Sequence, residues 1–251
     1  LSHFEHAELQ DVKDFFFKHS RPVNAILSVA GNVTTEQVRT LAEKWFGPIE
    51  SGEKYNRAIP VEPEQKSARK LEVFADVPLD ALYKTWHMAS RLDSGYYNAD
   101  LITEILGGGA SSRLHQKLVK ERQLFSNIEC YHMGTVDAGL LTIDGKLVKG
   151  VSMEEAEKAI EEELEKLKSE KIDETELQKV KNKTESVIAF EDMSIMNRAN
   201  SLAFYELLGN ADLMNTELSR YQQVTAEDIQ TEAAHIFREG NSNTLWYRSK
   251  N

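Results

Sequence analysis

Apolar residues along this chain change their spacing several times, and each change marks an element. Leu9, Val12 and Phe16 fall at i, i+3 and i+7, the spacing of one helix face, and Pro22 ends that helix. Asn24 to Gly31 (NAILSVAG) is an apolar run with the length and composition of a strand. Thr34 and Gln37 then form a capping-box pattern, and Val38, Leu41, Ala42, Trp45 and Phe46 continue at helical spacing until Gly47 stops the helix. Three elements cannot bury both faces of a sheet. Residues 1–46 are therefore predicted to be the closing helix, strand and helix of a larger first domain.

The stretch from Gly47 to Ser67 has neither period and holds Pro48, Pro60 and Pro63, three of the five prolines. Proline fixes φ and removes a donor, so 47–67 reads as an extended linker. Beyond it, strands are predicted from Lys70 to Val77 and from Leu82 to Ser90, the second with Leu82, Lys84, Trp86 and Met88 on one side. Helices follow from about Gly95 to Leu106 and from Ser111 to Glu121, separated by Gly107, Gly108 and Gly109. Two more strands run from Asn127 to Met133 and from Leu140 to Val148. Ser152 and Glu155 cap a long helix whose core face is Ala156, Ile160, Leu164 and Leu167. More helix extends to about Leu208, then two shorter helices and a last strand from Asn243 to Arg248. Strands clustered ahead of helices predict an α+β fold, an antiparallel sheet with helices packed on one face, with 68–251 as one complete domain.

The two ends resemble each other. Ala7-Glu8-Leu9-Gln10-Asp11-Val12 and Thr225-Ala226-Glu227-Asp228-Ile229 both open amphipathic helices, and each is followed by an asparagine, Asn24 or Asn243, that starts an apolar strand. The copies lie about 217 residues apart. Two homologous domains, the first mostly missing, would produce this pattern, and so would chance similarity of two helix–strand pairs.

Composition narrows the function classes. With 41% hydrophobic and 28% charged residues the chain is an ordinary globular protein, and no window approaches the apolar length of a membrane span. The formal net charge is −11, and no Lys/Arg block stands free of acids, which argues against nucleic acid as a partner. Cys130 is the one cysteine, so neither an intrachain disulfide nor a Cys-rich metal site can form.

Residue chemistry alone yields no catalytic site. Zinc hydrolysis on a helix needs two histidines four residues apart with a glutamate beside them, and no histidine here has a partner at that spacing. His3-Phe4-Glu5-His6 has the wrong spacing. His87 and His132 fall in strands, and His19, His115 and His235 on helices, as sheet and surface residues. Gly139 to Gly145 fails as a phosphate loop, because Lys146 is followed by Leu147. The glycines at 107–109 could bare backbone N–H groups to an anion or serve as a helix cap and turn.

Two longer stretches carry more information. Pro22-Val23-Asn24-Ala25-Ile26-Leu27-Ser28-Val29-Ala30-Gly31-Asn32-Val33 with Trp45-Phe46-Gly47 resembles the close of the first domain in the pitrilysin/insulinase family of metallopeptidases. Ile105-Leu106-Gly107-Gly108-Gly109-Ala110-Ser111-Ser112-Arg113-Leu114, then Leu118, Lys120-Glu121-Arg122 and Leu124, resembles that family's second domain, and Val224 to Ile229 its repeated final helix. The resemblance implies duplicated α+β domains facing each other as a clamshell. It also implies a zinc site, H-x-x-E-H plus a distant glutamate, upstream of Leu1, so this chain is expected to hold no metal ligand and zinc is expected in the parent's first domain. Members' second domains supply an arginine and a tyrosine to the substrate or oxyanion; the matching positions here are Val119 and Ser126, which can do neither task. The resemblance offers Gly107, Gly108, Gly109 and Arg113 as substrate-handling residues.

As a function, the resemblance implies a chamber-forming C-terminal domain of a zinc peptidase that cuts extended peptides. Its expected partners are the peptide, its own first domain and a related subunit that lends the arginine and tyrosine. The alternative is a non-catalytic structural or peptide-binding subunit of the same family. Bacterial cytoplasm and periplasm are both open as compartments.

Overall fold

The computed structural model describes residues 2–55 and 59–250, the side chains of Ser2 and His3 excepted. Residues 56–58 of the expected linker and the first histidine side chain of the His3–His6 cluster lie outside that description. The chain forms two compact units: Leu1–Val61 with Ala189–Thr216, and Glu62–Ile188 with Glu217–Asn251.

In the second unit, β1 (Arg69–Ala75) and β2 (Ala81–Met88) precede α4 (Gly95–Gly107), which follows α1 (Ser2–Glu5), α2 (Leu9–His19) and α3 (Thr35–Phe46) of the first unit. A π-helix over His115–Glu121 leads into the hairpin of β3 (Phe125–Met133) and β4 (Gly139–Leu147). Next come α5 (Met153–Ser169), α6 (Glu174–Glu191), α7 (Ile195–Leu207), which belongs to the first unit, α8 (Leu213–Gln223), whose first residues do too, α9 (Ala226–Ile236) and β5 (Ser242–Ser249). The five strands form one sheet in the order β1-β5-β2-β4-β3. The fold is the expected α+β, with one difference: β5 runs parallel to β1, so the sheet is mixed.

Period-two patterning turns Leu82, Trp86 and Met88 of β2, Leu141, Ile143 and Leu147 of β4, and Ile128 and Cys130 of β3 to one face, where they are buried. The helical faces of α4 (Leu101, Ile102, Ile105), α5 (Ala156, Ile160, Leu164, Leu167) and α9 (Ile229, Ala233, Ile236) close over them as one core. The opposite face of the sheet carries Leu71, Tyr83, Tyr131 and Leu245 and stays partly open to solvent.

The first unit follows the sequence pattern locally but has almost no interior. Thr34 caps α3 as expected, its hydroxyl accepting from Gln37 N–H at 3.2 Å while Gln37 accepts from Thr34 N–H at 2.8 Å. Yet α2 and α3 bury no residue, and Phe15, Phe16, Phe17, Leu41 and Trp45 are all more than half exposed. The strand expected over Asn24–Gly31 does not form. Pro22–Asn24 is a 3-10 turn and the segment after it is extended but unpaired, because a strand needs a neighbour to bond and none lies beside it among the described residues.

The helix and the turn of the repeat recur in the structure, while the strand of its first copy does not. α2 (Leu9–His19) and α9 (Ala226–Ile236) have 11 residues each and begin 217 positions apart, 9 against 226. The 3-10 turns at Pro22–Asn24 and Glu239–Asn241 keep the same offset, 22 against 239. Both helices open with a carboxylate closing the capping box: Asp11 accepts from Glu8 N–H and Asp228 from Thr225 N–H, each at 2.8 Å. The second copy then enters the sheet as β5, an interior strand with neighbours on both sides.

Candidate functional site

The three glycines named from sequence each have a local task. A Cβ on Gly107 would fall on the backbone nitrogen of Cys130, so the end of α4 can lie against β3 only with glycine there. Gly108 caps α4, its N–H bonding Glu104 O at 3.0 Å, and its own carbonyl accepts from Lys183 Nζ at 2.9 Å. Gly109 has φ +101°, in the left-handed region glycine favours, and no heavy atom lies within 4 Å of where its Cβ would stand. Arg113 is engaged bidentately by Glu176, Nε to Oε1 at 3.0 Å and Nη2 to Oε2 at 2.7 Å, and this hydrogen bonding raises the already high guanidinium pKa.

Val119 sits in the π-helix and packs on the core; Ser126, exposed on β3, donates its hydroxyl to Lys146 O at 3.1 Å. Neither offers a cation or a phenol. Around them Lys117 pairs with Glu121 at 2.8 Å and Arg122 with Glu162 at 2.7 Å.

Sequence reasoning passed over the polar face of α4. Asp100 accepts from Tyr221 OH at 2.6 Å and lies 2.9 Å from His132 Nε2. Burial pushes the Tyr221 hydroxyl far above its ordinary range, and the Asp100 charge adds to it. One turn earlier, Tyr97 OH donates to Glu217 at 3.1 Å and accepts from Arg91 and Arg220, each at 3.1 Å; Arg91 also reaches Glu217 at 2.5 Å. One turn later, Glu104 is held by Lys183 at 2.5 Å. Asp100 and Glu104 share the i, i+4 spacing of the two histidines in H-x-x-E-H, a spacing that lets one helix face present two ligands. The residues do not fit a metal: the Lys183 ammonium neutralises Glu104, tyrosine and histidine hold Asp100, and the described residues contain no group of three or more His, Cys, Asp or Glu able to hold an ion.

A sequence model for the family described as Peptidase M16 inactive domain matches residues 6–184. The chain belongs to that family. Among curated relatives, the zinc protease PqqE of Helicobacter pylori is 26% identical over 245 residues, covering 96% of this chain and 55% of the relative. The uncharacterized zinc protease YmxG of Bacillus subtilis is 25% identical over 233 residues, covering 91% of this chain and 55% of that protein. This inactive M16 domain thus spans about half the length of those relatives. The crystal structure of a protease from Helicobacter pylori superposes with a TM-score of 0.87 at 25% identity, over 97% of this chain and 60% of that one. The peptidase M16 inactive domain from Pseudomonas fluorescens superposes with a TM-score of 0.83 at 16% identity, over 98% and 58%, a likeness of fold. No helix among the described residues is long and apolar enough to cross a membrane.

The α4 cluster was hidden from sequence because, Arg91 apart, its partners come from 32 to 123 positions away. One signal was available: Asp100 stands on a helix whose other middle positions are buried, and a carboxylate there needs donors.

Proposed function

We propose that this M16 inactive domain is the chamber-forming C-terminal part of a zinc-dependent peptidase that cleaves extended peptides, and that the metal belongs to a preceding domain which the first unit completes. The observation that supports this reading is the unfinished copy of the repeat. Its helix and 3-10 turn match those of the second unit, but among the described residues the extended segment after them pairs with no strand, and its apolar side chains face solvent. In the finished copy the equivalent strand, β5, lies between a parallel and an antiparallel neighbour. A preceding domain that supplied two such strands and a helical layer would bury Phe16, Leu27 and Trp45 together. The names of the curated relatives make zinc the expected metal of that domain.

In this reading residues 68–251 form a non-catalytic domain and Gly107–Gly109 with Arg113 shape the wall behind the cut. The missing arginine and tyrosine at Val119 and Ser126 come from a related subunit. The test is direct. The complete protein is expected to carry about one zinc per chain and to degrade denatured casein in a chelator-sensitive way, alone or with its related subunit. The 251-residue chain alone should do neither. Proteolysis by the pure 251-residue chain, or a complete protein that neither binds zinc nor cleaves with any related subunit, would overturn the proposal; the latter result would favour a structural subunit.

A further inference from the structure

The open face of the sheet carries one unbroken row of paired positions. Leu71 on β1 lies opposite Leu245 on β5, Leu245 opposite Tyr83 on β2, Tyr83 opposite Asp144 on β4, and Asp144 opposite Glu129 on β3. The row changes character from end to end. At the β1–β5–β2 end a cavity of about 400 Å³ is lined by Leu71, Leu245, Tyr83, Thr85, Asn243 and Arg69. At the other end two carboxylates face each other across the β3–β4 ladder, the arrangement that destabilises a sheet.

Among the described residues that pair is only weakly compensated by the protein's own cations. Among the described residues, neither Asp144 nor Glu129 has a lysine or arginine at ion-pair distance. Tyr131 hydrogen-bonds Asp144, and Lys146, two positions along β4, exerts only a longer-range pull. Burial, with the Glu129 charge behind it, pushes the Asp144 carboxyl up from its ordinary value. A fold that keeps an unpaired like-charge pair beside an apolar cavity sacrifices stability there, which marks a place for an outside cation.

We propose that this open face binds an extended peptide with an apolar side chain in the Leu71–Leu245–Tyr83 cavity and a lysine or arginine between Asp144 and Glu129. With strands about 4.8 Å apart, the two ends lie roughly 12 Å from each other, a span of about three to four residues of extended chain. Complementary charge selects the basic end and the cavity selects the apolar end, so spacing as well as composition is read. The inference deepens the peptidase reading by naming the peptide class, and it rests on that reading only for the source of the peptide.

The experiment uses the complete protein with chelator present to prevent cleavage, and fluorescence anisotropy of labelled, C-terminally amidated peptides. One probe is Leu-Gly-Gly-Gly-Arg, a second replaces its arginine with neutral citrulline, and a third replaces its leucine with glycine. The first is expected to bind at least about tenfold tighter than either of the others, with an advantage over citrulline that fades in high salt. The double variant Glu129→Gln/Asp144→Asn should abolish that advantage while leaving citrulline binding unchanged. Leu71→Ser, at an exposed position, should weaken both leucine peptides alike. Relief of like-charge repulsion should leave the double variant's unfolding midpoint equal or higher, so lost binding cannot be lost folding. Equal binding of the arginine and citrulline probes, or charge variants that bind like wild type, overturns the proposal. Chelator-sensitive proteolysis of casein, measured separately, reports on the peptidase reading, so either idea can fail without the other.

Discussion

Lys84 on β2 and Glu157 on α5 meet at 2.7 Å on the helix-covered face of the sheet, with the lysine side chain only 4% exposed. The same carboxylate accepts from Lys70 at 2.8 Å and from Trp246 Nε1 at 2.9 Å, tying α5 to β1, β2 and β5. Removing Glu157 leaves the buried Lys84 ammonium with Glu161 alone, 3.0 Å away on a carboxylate that is 57% exposed. Glu157→Leu is therefore expected to cost about 3–5 kcal/mol in urea unfolding, whereas Lys84→Met/Glu157→Leu should recover much of that loss. A double variant no more stable than the single one would deny the pair its buried character.

Acid should dissolve the same hub. Burial pushes the Glu157 carboxyl up, but hydrogen bonds and charge from Lys70 and Lys84 outweigh burial and hold it at about 2 against an ordinary 4.5. A group depressed in the folded state adds stability above its unfolded pKa and loses that contribution as pH falls through the folded one. The Glu157 contribution is thus full above about 4.5 and drains toward about 2. Urea midpoints measured from pH 6 to pH 2.5 should fall more steeply for wild type than for Glu157→Gln.

The glycine run should separate into unequal positions. Gly107→Ala sets a methyl group against the Cys130 backbone, which cannot yield without moving β3, and is expected to cost several kcal/mol, more than about 3. Gly109→Ala meets open space and only the positive φ opposes it, so about 1 kcal/mol is expected. Thermal unfolding of the two variants checks the order.

Arg113 and Glu176 are each roughly a quarter exposed or less and bond at two points. A double-mutant cycle with Arg113→Ala and Glu176→Ala should return a coupling of about 1–2 kcal/mol, and Arg113→Lys should lose part of it because an ammonium cannot reproduce the fork. Zero coupling would free Arg113 for the peptide-handling task proposed for it.

The two copies of the repeat invite a matched substitution. Thr244 sits in the interior strand β5, and Leu27 holds the corresponding place 217 positions earlier. Thr244→Pro removes a ladder position in a paired strand and is expected to cost about 3 kcal/mol or more in the 251-residue chain, while Leu27→Pro leaves its midpoint unchanged. In the complete protein the two prolines should become comparably costly.

Much of the second unit was legible in sequence. The alternation of β2, the Ser152 cap and the α5 stripe were read at their observed places, because each is a local pattern whose partner is the core itself. Lys84 was visible on the buried side of β2, but not Glu157, which lies 73 positions away. The segment Ser111–Glu121 carries helical signals, but over His115–Glu121 it forms a π-helix, with Arg122 N–H bonding Lys117 O five positions back at 3.0 Å, a register that apolar spacing does not distinguish from an α-helix. The run at Asn24–Gly31 failed for the opposite reason: its pattern is sound, but pairing is not a property of one strand. Parallel pairing of β1 with β5 was equally out of reach, since it joins positions about 175 apart.

The approach of Gly107 to Cys130 has a practical consequence. The only thiol in the chain is sealed beneath the end of α4, and burial raises its pKa so that little thiolate exists while the core stays closed. Its reaction with an alkylating reagent must wait for α4 to lift from β3. The wild-type protein therefore carries its own single-site clock, one covalent event per opening, by which the breathing of the sheet–helix core can be timed without introducing a label.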